Sequence, residues 1–121
     1  EKLTDIIKNE LIDIANLPSN ADKLKQISAI GRSIQKHSNR ENSFYAQAFD
    51  KSPDGWNKHG EDILKRMLEN SDTILKIETT SSYGETIKII DNRGYEVWFY
   101  NENVPDNADK CIGFREPRNK S

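Results

Sequence analysis

The chemically capable residues of this chain are two histidines and a spread of arginines and lysines, with a single cysteine among them. Most of that capacity is concentrated in Gly31-Arg32-Ser33-Ile34-Gln35-Lys36-His37-Ser38-Asn39-Arg40. On a helix, His37 falls within about 20° of Ile30, so it extends an apolar stripe and faces the interior or the rim of a cleft. Two roles suit it there. One is structural: a half-buried imidazole satisfied by a backbone carbonyl or favoured by the dipole at the helix C-terminus. The other is chemical: a proton carrier near neutrality with Lys36 and Arg40 beside it, which is what phosphodiester transfer requires.

His59 lies beside Lys58 and near Trp56, at the edge of another helix's apolar arc, where a surface histidine in a first helical turn is the simpler reading. Glu85, Lys88, Asp91 and Arg93 fall on or between two strands, which the solvated face of a sheet would also supply. Trp98 and Tyr100 share one strand face, suited to stacking on nucleic-acid bases or equally to packing against a helix. Other chemistries lack their residues. The chain has no glycine-rich phosphate loop, nucleophile elbow, paired zinc-ligand histidines or EF-hand loop, and no carboxylate cluster spaced for a two-metal nuclease. Neither a metal nor a cofactor is expected. The lone Cys111 rules out an intramolecular disulfide and a multi-cysteine zinc site; near Phe114 it reads as a small apolar residue.

A net charge of −2, from 18 Lys+Arg against 20 Asp+Glu, argues against a nonspecific nucleic-acid coat. It leaves room for an enzyme that cuts RNA at a local basic pocket. No apolar run is long enough to span a membrane, no signal-peptide core is present, and the start at Glu1 reads as a fragment of something longer. At 121 residues the chain is expected to be one domain over 1–121, helical to about residue 70 and strand-rich over 73–116.

These elements must position the site. Leu3, Ile6, Ile7, Leu11 and Ile14 recur at helical spacing behind Thr4, a ready N-cap. After the break at Leu17-Pro18-Ser19-Asn20, Leu24, Ile27, Ile30 and Ile34 form the stripe of a second helix ending near Ser38-Asn39. The polar stretch from Asn39 to Gly55 contains Phe44, Tyr45 and Phe49, aromatics suited to pinning it to the core. A third helix, about Asn57 to Glu69, buries Ile63, Leu64, Met67 and Leu68. The period then becomes two: Leu75 and Ile77, then Ile87 and Ile89, then the aromatic strand Tyr95–Tyr100, then Ile112 and Phe114 within Lys110–Arg115. Turns fall at Ser81-Ser82-Tyr83-Gly84 and Asp91-Asn92-Arg93-Gly94, and a basic tail follows Pro117. The expectation is an α+β fold, N-terminal helices packed on a C-terminal antiparallel meander, with Leu75, Ile77, Ile87, Ile89, Ile112 and Phe114 facing the helices.

The run Gly31-Arg32 to Lys36-His37, followed by Arg40 and Ser43-Phe44, resembles a signature of polymorphic toxin C-termini. These domains end Rhs-type, CdiA-type and related contact-dependent inhibition effectors. The resemblance continues through Gly60, Ile63-Leu64, Tyr83-Gly84, the Asp91–Gly94 turn and the closing Gly113-Phe114-Arg115-Glu116-Pro117. It implies a toxin carried by a larger secreted or surface effector, acting in the target-cell cytoplasm and neutralised by a cognate immunity protein. It also implies the barnase, EndoU, colicin and RelE group of ribonucleases, which generally need no metal and several of which cut tRNA. Site residues carried over are His37, Arg40, Asp91 and Arg93.

The chemistry so implied is attack of a ribose 2′-OH on its own phosphate, with His37 as acid or base and Arg40 with Lys88 or Arg93 on the phosphorane oxygens. Lys36, Trp98 and Tyr100 are the expected substrate contacts, and Glu85, His59 or a tyrosine hydroxyl the second proton carrier. A monomer acting on RNA is expected. Nucleotide or ADP-ribose transfer, and a noncatalytic immunity-type module, remain the alternatives.

Overall fold

In a computed structural model, which describes residues 2–117, three helices precede four strands. They are α1 (Asp5–Ala15), α2 (Ala29–Ser38), α3 (Pro53–Glu69), β1 (Ile74–Thr80), β2 (Gly84–Ile90), β3 (Glu96–Tyr100) and β4 (Cys111–Arg115). Glu1 and the basic tail, residues 118–121, lie outside the described residues. The strands form one antiparallel sheet in the order β1-β2-β3-β4, so the chain is α+β with its helices first and a meander after them.

Each helix begins on a hydroxyl. Thr4, Ser28 and Ser52 accept the N–H groups of Ile7 (3.2 Å), Gly31 (3.0 Å) and Gly55 (3.1 Å), donors that have no partner within the helix itself. α2 is shorter than its apolar stripe suggested: it starts at Ala29, and Leu24 is 76% exposed. The cause is local. The Asp22 carboxylate accepts the N–H groups of Leu24, Gln26 and Ile27, and Lys25 adopts a positive φ of 56°. This turn takes the donors a helix would need. α3 begins earlier than expected because Pro53 fits the first helical position, where its missing N–H would have been unpaired in any case.

The sheet register builds the core. Leu75, Ile89, Val97 and Phe114 share one row, and all four are buried. In the next row Ile87 is half-buried against the core and Phe99 is buried, but Ile77 is 40% exposed. Ile77 lies on β1, the edge strand farthest from β4, and β4 is the strand on which α2 packs. Ile112 also departs from expectation. Pairing shifts from Trp98↔Gly113 to Phe99↔Cys111, a bulge that skips Ile112 and hands its place in the core to Cys111. Of the three loop aromatics Tyr45 is the one whose ring pins the loop to the core. It is buried, its hydroxyl donates to the Arg115 carbonyl (2.7 Å), and its ring meets those of Phe114 and Tyr95, whereas Phe44 and Phe49 are exposed.

α2 and α3 meet backbone to backbone. A Cβ at Gly60 would stand 2.8 Å from the Ile30 carbonyl oxygen, which cannot rotate away. Gly60→Ala is therefore expected to destabilise the fold. The overpacking costs about 1–3 kcal/mol, more than the gain in helix propensity of at most about 1 kcal/mol. Urea unfolding at constant slope checks this, and an unchanged midpoint would contradict it.

Candidate active site

His37 occupies the last turn of α2, and a seam between α2 and β4 determines what it faces. Ser33 accepts the Phe114 N–H (2.8 Å), and Gly113, at φ +119°, leaves no side chain between the strand and Ser33. The strand end beyond this seam brings Glu116 to the imidazole. Its Oε2 lies 3.3 Å from His37 Nδ1 and accepts from the Ser43 hydroxyl (2.8 Å), while Oε1 accepts the Phe44 N–H (3.0 Å). Arg40 Nη1 lies 3.3 Å from the same Nδ1.

One nitrogen thus has two competing partners, and each selects a tautomer. With a proton on Nδ1 donated to Glu116, Nε2 carries a lone pair; with Nδ1 accepting from Arg40, Nε2 carries the proton. Nε2 itself bonds to no other described residue. Burial, then repulsion from Arg40 and more weakly Arg115, holds His37 below its ordinary range against the opposing pull of Glu116. Burial also works to raise Glu116, but the Phe44 N–H, the Ser43 hydroxyl and His37 outweigh it and hold the carboxyl below its usual value. Both directions favour a neutral imidazole beside an ionised carboxylate at neutral pH.

The cleft beside His37 has a volume of about 310 Å³. α2 lines one wall with Arg32, Ser33, Lys36 and His37, and Arg40 follows just past the helix end; Tyr83, from the β1–β2 turn, and Tyr100 and Arg115, from the sheet, line the other. A second opening of about 350 Å³ shares His37, Arg40 and Arg115 and adds Glu96, Trp98 and Glu116. Five of the expected residues therefore converge: His37, Arg40, Lys36, Trp98 and Tyr100. Trp98, however, is only 6% exposed. Lys88 and Arg115, from strands on opposite sides of β3, each stand 4.3 Å from its ring centroid, and its indole N–H donates to Glu96.

The remaining expected residues stand apart. Lys88 is buried beneath its ion pair with Glu78 (3.0 Å) and lines neither opening. Asp91 is buried and braces the β2–β3 turn, accepting the N–H groups of Arg93 and Tyr95 and the Arg93 guanidinium (2.8 Å). Arg93 lies over the Tyr95 ring and lines a different hollow with His59 and Arg66. His59 Nε2 lies 2.7 Å from the Ala46 carbonyl in that hollow, and Glu85 binds the Asn101 amide. Arg32, Tyr83, Arg115 and Glu116 had no assigned role from the sequence. The last two stand in the closing Gly113–Pro117 block, whose resemblance was the one signal pointing toward them.

Among the described residues no group of three or more His, Cys, Asp or Glu side chains could hold a metal ion, and no helix is long and apolar enough to cross a membrane.

The family model described as the CdiA C-terminal tRNase toxin domain matches residues 17–103, which is 87 of the 121 residues. The match takes in α2, α3 and β1 to β3, and with them Arg32, Lys36, His37, Arg40, Tyr83 and Tyr100; Arg115 and Glu116 lie beyond it. No curated protein and no solved structure matches the chain significantly. A match of this extent sets aside the immunity-type reading, because the matched family is one of toxins. The chain belongs to the CdiA C-terminal tRNase toxin domain family.

Proposed function

We propose that the domain cleaves tRNA by metal-independent transesterification centred on His37. The observation that carries this reading is the imidazole itself, with Glu116 and Arg40 each 3.3 Å from Nδ1 and a wall of cations around it. Nε2 takes the proton of a ribose 2′-OH. The freed O2′ attacks the adjacent phosphorus, the P–O5′ bond breaks, and the products are a 2′,3′-cyclic phosphate and a 5′-OH. Arg40 stabilises the charge gathering on the phosphorane oxygens, as expected from the sequence, with Arg115 in the place given there to Lys88 or Arg93. In-line displacement puts the departing O5′ on the far side of phosphorus from the base, so its proton comes from a second group. We assign that role to Tyr100 because it lines the cleft and carries a hydroxyl that is protonated at neutral pH, as an ordinary tyrosine's is; burial and then Tyr83 raise it further, which makes it a weak acid.

The same reading includes delivery by a larger effector into a target-cell cytoplasm, and an immunity protein that covers the cleft with carboxylates facing Lys36 and Arg40. Purified domain incubated with total tRNA in EDTA tests it. Expected are fragments ending in 2′,3′-cyclic phosphate, with DNA of the same sequence left whole for want of a 2′-OH. Loss of activity in EDTA, or cleavage of the DNA, would refute the mechanism.

A further inference from the structure

Two cations on α2 face the cleft without a partner among the described residues. Arg32 and Lys36 stand four positions apart on one ridge of the helix, and Arg40 follows just past its end. Like charges at that spacing repel and weaken a helix. Four lysines elsewhere are matched by carboxylates: Lys58 with Asp62 and Lys65 with Glu61 along α3, and Lys76 and Lys88 with Glu78 on the sheet. Neither Arg32 nor Lys36 has an ion pair or side-chain hydrogen bond among the described residues. Asp109, the one carboxylate lining the cleft, is engaged by the Ser19 hydroxyl (2.8 Å) and the Asn20 N–H (2.7 Å). A domain of net charge −2 thus carries an uncompensated cationic rail leading to His37. The step from Arg32 to Lys36 rises about 6 Å, close to the separation of successive phosphates in a single strand.

Tyr83 stands in the same cleft. The β1–β2 turn that carries it is tied down, its N–H donating to Thr80 Oγ1 (3.0 Å), and Thr80 in turn contacts the buried Thr86 hydroxyl. The edge-to-face neighbours Tyr100 (5.6 Å) and Trp98 (6.0 Å) brace the ring without stacking on it. Trp98 is occupied by two cations at 4.3 Å, whereas only Arg115 stands over the Tyr83 ring, farther off at 6.0 Å, and Tyr83 remains half-exposed.

Resting on the tRNase reading, we infer that the cleft selects an unpaired nucleotide, its base stacking on Tyr83 and its flanking phosphates seated on Arg32 and Lys36. The bond that is cut then lies in a loop of the tRNA and not in a stem. Base faces in an A-form duplex are hidden within the stack, so an aromatic platform reaches only a splayed nucleotide. A cleft of about 310 Å³ has room for roughly one.

A 2′-O-methyl RNA hairpin with a randomised loop, compared with a fully paired duplex of the same composition, is the probe. Neither can be cut by 2′-OH attack, so binding is read apart from cleavage. Hairpin binding should exceed duplex binding by at least about tenfold. Tyr83→Ala should weaken hairpin binding about 5- to 150-fold; Tyr83→Leu, which keeps the apolar contact with Trp98, should lose as much, and Tyr83→Trp should restore it. The Arg32→Ala, Lys36→Ala pair should lower the log–log salt slope by about 1.4, two contacts at about 0.7 each. Equal binding of hairpin and duplex, variants without effect, or 5′-OH ends mapping to tRNA stems would overturn the inference while leaving cleavage intact. Should the wild type leave tRNA whole while the hairpin preference and its loss in the variants persist, the cleavage reading falls and this one stands.

Discussion

His37→Ala is expected to slow tRNA cleavage by about 10²–10⁴-fold, the usual consequence of losing a positioned acid or base, while the domain stays folded. His37 is 8% exposed, so its removal is not free of structural cost. The imidazole lies 5.9 Å from the Tyr45 ring, edge-on, and an alanine leaves a small void there. Glu116 is not orphaned by the change, because Ser43 and the Phe44 N–H still bind its two oxygens. The expected loss is about 1 kcal/mol, typical of a substitution that leaves no buried polar group unpaired. Thermal unfolding and cleavage measured on one preparation separate the two effects. Cleavage at the wild-type rate would reduce His37 to a brace between α2 and the strand end, the structural alternative its helical position allowed from the start.

The parts of this site that were readable in the sequence are those created by short-range periodicity. Lys36 and His37 lie in the last turn of a helix that announces itself through Ile30 and Ile34, and Arg40 follows two residues past its end. Trp98 and Tyr100 share a strand face by strict alternation. What was hidden depends on register and on distance along the chain. Glu116 lies 79 positions from His37, and the pair exists only because Ser33 stitches α2 to β4. No spacing rule reaches that far.

The same limit misplaced Ile112. Alternation puts it on the face of Phe114, but the bulge opposite Trp98 and Phe99 removes one residue from the count. Leu24 was misassigned for a different reason. Its apolar side chain fits the stripe of α2, yet Asp22 and Lys25 form a turn that keeps the helix from starting there. Asp91 and Arg93 were visible as a charged pair near a turn, and a turn is what they hold together. In each of these cases the local pattern was real, and a tertiary contact or a competing hydrogen bond decided its use.

Arg40→Ala and Glu116→Gln should both depress cleavage but displace its pH profile in opposite directions. In the proposed mechanism Arg40 serves twice: it stabilises the transition state, and it repels a proton from His37. Its removal should cost about 10²–10³ in rate, the cost of one lost donor to a developing oxyanion. The neutral imidazole is the active base, so activity falls as pH drops through the His37 pKa. Without the Arg40 charge that pKa rises toward its ordinary range, and the acid limb of the profile moves to higher pH. Glu116 acts the other way, since both its hydrogen bond and its charge favour the imidazolium. Glutamine retains the size but not the charge, so the pKa falls further and the acid limb moves to lower pH. Glutamine also offers the Nδ1 proton a weaker acceptor, which lets Arg40 hold the ring in the tautomer that leaves no lone pair on Nε2. Glu116→Gln should therefore lower the plateau rate as well as shift the limb. Profiles of kcat/KM against pH for the two variants and the wild type decide the matter. Limbs that move in the same direction, or not at all, would mean that His37 is not the group whose protonation controls the reaction.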